Sequence, residues 1–349
     1  MSEFIDKLLR PELVNLKPYE SARRLFAMSE CDSAQTDWLN ANENPYMPEI
    51  NINPVLLNRY PDGQPDALIE AYANYAGVNR EQVLATRGAD ESIELLIRTF
   101  CQSNAQDRIV ICPPTYGMYA ISAETNGTDV IEVPLNAELQ LDLEALIPKL
   151  DNTKIVFVCS PNNPTGQIIK QPDLYQLLEA AQDKCLVVAD EAYIEFCPEA
   201  SVVDLLKRFA NLVITRTLSK AFGLAGIRCG FTLANPDVIN AMKKVIAPYP
   251  IAAPVAQIAT QALSDAGINW MKDKVAELSK QRDAFLSDAK NWRSIARIYP
   301  SDTNFVLFEL CPAVSAAKLV KSFKANDVLV RDQSKQRNLN NTIRVTIGD

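Results

Sequence analysis

The chain has 349 residues, 48% of them apolar and 22% charged, with a formal net charge of −8. Its length and composition suit a soluble globular enzyme with one large core and a smaller appended domain, and the acidic balance argues against nucleic acid as a partner. There is no histidine at all, which removes Ser-His-Asp and Cys-His machinery and imidazole metal sites together, so proton transfer must use Lys, Tyr, Cys or a carboxylate.

The first ten residues, MSEFIDKLLR, are amphipathic and lack the basic start and long apolar stretch of a secretory signal. No apolar run approaches the length of a bilayer span, so a cytoplasmic location is expected and a membrane partner is not. Eight cysteines are scattered without a C-x-x-C pair, several in apolar runs where Cys packs as a small hydrophobe; neither zinc nor a disulfide framework is expected. Residues 66–76 and 89–101 (ADESIELLIRTFC) carry apolar residues at helical spacing. Short apolar runs then end in turn chemistry: RIVICPPT, VIEVPL, KIVFVCSPNNPTG, CLVVADEAY and NLVITRTLSK. Helical patterns such as QPDLYQLLEAAQ and SVVDLLKRFA lie between them. Strands apolar on both faces, alternating with helices, predict an α/β fold of three layers around a mostly parallel sheet. Residues 253–292 read as long helices. After them IARIYP, NFVLFEL, AAKLVKSFKAN, VLVRD and TIRVTIG suit a smaller α+β domain. The expected boundaries are an N-terminal arm over 1–44 joining the small domain, a large domain over 45–260 and the small domain over 261–349. The chain stops directly after a predicted strand, where a further helix is expected to cover that face.

In open α/β sheets, ligands sit beyond the carboxyl ends of the strands. Three successive predicted strands end there in unusual polar residues: one runs into Asn163, one into Asp190, Glu191 and Tyr193, one into Thr217, Ser219 and Lys220. Taken singly, each has a bland explanation as a turn, a helix cap or a solvated lysine. One ligand explains all three. Pyridoxal phosphate needs a lysine for its aldehyde, an anion facing its ring nitrogen, donors to its phenolic oxygen and a phosphate cradle. Lys220 suits the first role and Asp190 the second. Asn163 and Tyr193 can donate to the phenolic oxygen, and Thr217, Ser219 and Arg228 to the phosphate. The stretch RGADES, residues 87–92, offers helix N-terminal amides for the same phosphate, and Tyr116 in CPPTYGMY can stack on the ring.

The stretch TLSKAFGLAG resembles the lysine signature of the class II pyridoxal-phosphate-dependent aminotransferases, whose fold is the aspartate-aminotransferase-like fold type I; SPNNPTG and ADEAY match its neighbours. LKPYESARR, NANENP, RYPDGQP, RGADESIELLIR, CPPTYGMY, VLVRDQ and TIRVTIG resemble the branch of that family acting on histidinol phosphate. The resemblance implies Lys220 as the Schiff-base lysine, with Asp190 and Tyr193 completing the catalytic set. It places the cofactor phosphate on Thr217, Ser219, Arg228 and the Ala89–Asp90 amides. It implies a homodimer in which Tyr60 of the RYP motif reaches the phosphate bound in the partner subunit. Arg331 and Arg344, on two predicted strands, would face the substrate phosphate or the glutamate carboxylate, with Tyr19 assisting and Asn42 nearby. The reaction implied is amino transfer from L-histidinol phosphate to 2-oxoglutarate, giving imidazole-acetol phosphate and glutamate, run physiologically toward histidinol phosphate in histidine biosynthesis. Aromatic or other amino-acid specificity stays open, as does a lyase similar to the threonine-phosphate decarboxylases. A cofactor-binding regulatory module ranks well below these.

Overall fold

The computed structural model of the chain describes residues 36–52, 57–104 and 106–348, together with Leu13 and Leu16. After a two-residue strand β1 (Asp37–Trp38), the chain lays down β2 (Val83–Thr86), β3 (Arg108–Ile111), β4 (Asp129–Glu132), β5 (Thr153–Cys159), β6 (Leu186–Asp190), β7 (Leu212–Thr217) and β8 (Gly230–Ala234). These last form one seven-stranded sheet in the order β2-β8-β7-β6-β5-β3-β4. Every pairing in it is parallel except the two made by β8.

The two-residue period of a strand sends alternate side chains to opposite faces, and here both faces are dry. Val156, Val158, Val187, Ala189, Leu212 and Ile214 enter one core cluster. Their sequence neighbours Ile155, Phe157, Val188 and Val213 enter another. Helices α1 (Asp66–Ala76), α2 (Ala89–Phe100), α3 (Met118–Asn126), α4 (Gln171–Ala181) and α5 (Pro236–Lys243) divide between those clusters. Leu68, Ile69 and Tyr72 of α1 and Leu174, Leu177 and Leu178 of α4 cover the first face. Ile93, Leu96 and Ile97 of α2, Tyr119 and Ala123 of α3, and Val238, Ile239 and Met242 of α5 cover the second. Burying each large aliphatic side chain contributes roughly 1.5–3 kcal/mol. This is the three-layer α/β arrangement expected from the apolar runs.

Residues 253–292 fold as α6 (Ala253–Ala262) and α7 (Asp265–Ala289). A second, antiparallel sheet then forms from β9 (Ile295–Ile298), β10 (Phe305–Leu310), β12 (Arg331–Asp332) and β13 (Thr342–Thr346), while β11 (Val328–Leu329) pairs in parallel with β1. The helix α8 (Ala316–Lys324) and the second half of α7 close a third cluster around Val306, Phe308, Leu310 and Ile343. The chain just after β1 is stitched to both neighbours: Leu39 N–H donates to Leu329 O at 2.9 Å, and Leu39 O accepts from Thr346 N–H at 2.9 Å.

One predicted helix is not there. SVVDLLKRFA forms only a short 3₁₀ segment, Val203–Lys207. Its beginning is held by tertiary contacts: Val202 N–H donates to Glu191 Oε1 at 2.7 Å, and Ser201 Oγ bonds both Glu191 and Arg216. Glu191 and Arg216 form a buried ion pair of 2.7 Å with side chains 2% and 6% exposed, and satisfying it outweighs a regular helix start.

Candidate active site

The carboxyl ends of β5, β6 and β7 open into one cavity of about 310 Å³. It is lined by Lys220, Asp190, Tyr193, Asn163, Thr217, Ser219, Arg228, Ala89, Asp90, Tyr116, Asn42, Arg331 and Arg344. Of the site residues predicted from sequence, two are not among them. Tyr60 lies outside, 82% exposed and stacked on Tyr249 at 4.7 Å, and Tyr19 falls outside the described residues.

Asp190 ends β6 and is buried. Its Oδ2 accepts from the Tyr119 hydroxyl at 2.5 Å and its Oδ1 from Ala192 N–H at 3.1 Å. Burial pushes its carboxyl up to about 6, while those bonds pull the other way. Among the described residues no cation pairs with it. Lys220 sits three residues beyond β7, with Nζ donating to Ala41 O at 3.1 Å and lying 5.6 Å from the Tyr193 ring centroid. Burial, and then the positive charge of Arg344, bring its amine down to about 8. Such an amine is still mostly protonated near physiological pH but has a far larger neutral fraction than an exposed lysine, and the neutral form is what a nucleophile or proton carrier requires.

Tyr193 is buried and its hydroxyl accepts from Asn42 Nδ2 at 2.9 Å. Asn42 therefore lines the cavity and also orients a tyrosine, a second task its sequence context did not reveal. Asn163 Oδ1 accepts from Arg344 Nη1 at 2.5 Å. Arg344 and Arg331 are direct cross-strand partners on β13 and β12. Like charges directly opposite on adjacent strands repel, so an anion between them would relieve the pair.

A third group of donors gathers where α2 begins. Thr217 Oγ1 lies 2.9 Å from Ser219 Oγ, and Arg228 Nη1 donates to the same Ser219 oxygen at 3.3 Å. Arg228 Nη2 lies 3.2 Å from Asp90 Oδ2, whose other oxygen accepts from the Tyr116 hydroxyl at 2.9 Å. Gly88 caps α2 at φ +81°, and a Cβ there would stand 2.8 Å from Arg228 Nη2; only glycine lets the guanidinium lie against this turn. Arg228 itself is left-handed at φ +53°, a strained state tolerated because its side chain is held at the site.

This donor set fits pyridoxal phosphate. A buried carboxylate without a cation suits a protonated ring nitrogen, the Ser219–Arg228 corner beside the amides of α2 suits a phosphate, and the Lys220 amine lines the same cavity. Tyr119 went unnoticed in the sequence. It is fully buried, stacked on Phe157 at 4.7 Å and edge-on to Tyr116 at 5.7 Å; the only signal was a second tyrosine in CPPTYGMY. Its bond lowers the affinity of Asp190 for protons. Tyr119→Phe is therefore expected to weaken pyridoxal phosphate binding to the cofactor-free protein by about tenfold. It should also move the acid midpoint of that binding to higher pH. A fluorescence titration across pH checks both, and unchanged curves would remove Tyr119 from the site.

The family model for aminotransferase class I and II matches residues 34–349. The histidinol-phosphate aminotransferase of Aeromonas hydrophila subsp. hydrophila is 53% identical over 344 residues, covering 99% of this chain and 94% of the relative. The crystal structure of histidinol-phosphate aminotransferase from Clostridium acetobutylicum aligns with a TM-score of 0.79 at 28% identity, over 89% of this chain and 94% of that one. The enzyme of the same name from Sinorhizobium meliloti, solved in complex with pyridoxal-5'-phosphate, gives a TM-score of 0.84 over 98% of this chain and 93% of that one. Its 23% identity speaks for the fold alone.

Proposed function

The chain belongs to the class I and II aminotransferases, and on that premise we propose that it exchanges the amino group of L-histidinol phosphate with 2-oxoglutarate in histidine biosynthesis. Pyridoxal phosphate is its cofactor in this reading. Identity of 53% along nearly the whole chain with a histidinol-phosphate aminotransferase supports the substrate. The observation that carries it in the geometry is the facing pair Arg331 and Arg344 in the same cavity as Lys220 and Asp190. That arrangement supports a small substrate whose anionic end meets the guanidinium pair while its amino-bearing carbon meets Lys220.

Bound in this cavity, pyridoxal phosphate supplies an aldehyde for the substrate amine and a ring that draws electrons from the substrate carbon bearing it. The protein supplies the rest. Lys220 Nζ would take the proton from that carbon and return it to the former aldehyde carbon of the cofactor, on the other side of the shared nitrogen, its basicity set by burial and by Arg344. Asp190, steadied by Tyr119 and the Ala192 amide, would hold a proton on the ring nitrogen. Tyr193, oriented by Asn42, and Asn163 would donate to the phenolic oxygen. Arg344 and Arg331 hold either the phosphate ester of one substrate or a carboxylate of the other, so a single site serves both half-reactions and the kinetics are ping-pong.

Two further proposals accompany this one. The protein works as a homodimer: Met47, Ile52, Leu57, Tyr60 and Tyr249 are large apolar or aromatic side chains left exposed on the single chain, and covering them suits a second copy. It works in the cytoplasm, in keeping with a biosynthetic role; among the described residues no helix is long and apolar enough to cross a membrane.

The test is a half-reaction assay. Histidinol phosphate alone, added to the pyridoxal-loaded protein, is expected to convert its absorbance to that of the pyridoxamine form faster than aromatic amino acids or threonine phosphate do. Preference for either of those would overturn the substrate. Arg344→Ala should raise KM for histidinol phosphate and for glutamate together, each by roughly tenfold to a hundredfold. If both stay put, the anion lies elsewhere.

A further inference from the structure

Among the described residues every buried asparagine but Asn40 makes at least one side-chain hydrogen bond, although Asn304 Oδ1 has no partner. Asn42 bonds Tyr193 and Thr346, Asn44 donates to Ala221 O, Asn162 to Pro114 O and Thr165, and Asn304 to Asn42 O. Asn40 is 0% exposed, and neither its Nδ2 nor its Oδ1 has a hydrogen-bond partner. A buried amide with both ends unpaired is destabilising, and such groups persist where a ligand uses them. Asn40 lines the cavity. Its backbone oxygen accepts from Arg344 Nη2 at 2.8 Å, which places the amide beside the guanidinium pair. The stitching of Leu39 to β11 and β13 fixes the backbone from which it projects.

We propose that Asn40 is a specificity-determining residue: its side-chain amide hydrogen-bonds the phosphate end of histidinol phosphate next to Arg344. This rests on the substrate proposed above. A carboxylate has two oxygens, and one guanidinium fork occupies both. A phosphate ester presents three terminal oxygens, so a further neutral donor beside the fork finds a partner on the phosphate and none on glutamate. The amide oxygen can accept the proton that a phosphate ester carries part of the time near neutrality. Being uncharged, the amide adds discrimination without adding a third cation that would hold any anion.

The test compares Asn40→Leu, which keeps the volume and removes both polar atoms, with Asn40→Asp. Each half-reaction is measured separately with histidinol phosphate, histidinol and glutamate, alongside the melting temperature without substrate. For Asn40→Leu the ratio of KM for histidinol phosphate to KM for glutamate is expected to rise about tenfold or more. The preference for histidinol phosphate over histidinol should fall by the same factor, and the melting temperature should not drop. Asn40→Asp should lose more than Asn40→Leu on histidinol phosphate, because a carboxylate repels the ester. Equal rises in KM for histidinol phosphate and glutamate would mean that Asn40 only props Arg344, and would overturn the proposal. So would an unchanged ratio, or a lower melting temperature for Asn40→Leu, which would show that the amide serves the fold. A wild-type protein that does not convert histidinol phosphate would instead overturn the substrate assignment, a separate failure visible in the control.

Discussion

Lys220→Ala is expected to lower turnover by on the order of 10⁴-fold or more, since both the covalent attachment point and the proton carrier are lost. Among the described residues Lys220 is the only lysine lining the cavity, so none of those neighbours can substitute for it. Its Nζ has one hydrogen bond, to Ala41 O, so removing it should disturb the fold little and leave the melting temperature near that of the wild type. Small primary amines added to the variant should restore part of the rate by entering the space the side chain leaves. The direct check is borohydride reduction of the unsubstituted protein followed by peptide mapping. A reduced cofactor adduct on any peptide other than the one carrying Lys220 would sink the assignment.

Asp190→Asn should cut turnover on the order of 10³-fold while cofactor still binds, because the side chain keeps its shape but no longer stabilises a protonated ring nitrogen. The same substitution has an opposite effect on stability. In the cofactor-free protein burial raises this carboxyl to about 6 from 3.8. Between those values the folded chain keeps a proton that the unfolded chain has released, so stability falls as pH rises through that window and stays lower above it. The asparagine variant has no charge to desolvate. Without cofactor it is expected to melt above the wild type at pH values higher than about 6, with the gap closing toward the ordinary carboxylate range. Melting curves at several pH values decide this; a variant that melts lower throughout would show that the carboxylate serves the fold rather than the ligand.

Much of this site was legible because its parts stand at strand ends. KIVFVCS, CLVVAD and NLVIT are short, apolar on both faces and followed by polar residues, and a parallel sheet brings such ends together by geometry alone. The helices at 66–76 and 89–101 were equally legible from their spacing. β8 was hidden: GFTLA follows a glycine-rich loop and reverses direction in an otherwise parallel sheet, and its pairing with β2 lets Gly230 approach Gly88 so closely that a Cβ would stand 2.6 Å from the Gly88 carbonyl carbon. Such proximity joins residues far apart in sequence and leaves no local pattern. The same holds for the bond from Tyr119 to Asp190, the bond from Asn42 to Tyr193, and the lone amide of Asn40. SVVDLLKRFA misled for the converse reason, since local apolar spacing gave way to a buried ion pair formed elsewhere in the chain.

Asn40, Ala41 and Asn42 are consecutive, and each grips a different side chain: the first two accept from Arg344 and Lys220 through their carbonyl oxygens, and the third donates to Tyr193. This tripeptide acts as a gauge whose graduations are single residues. Side chains here can be exchanged one at a time with graded consequences, but adding or deleting one residue would shift every graduation and release all three holds together. Length, more than composition, is what this segment must preserve.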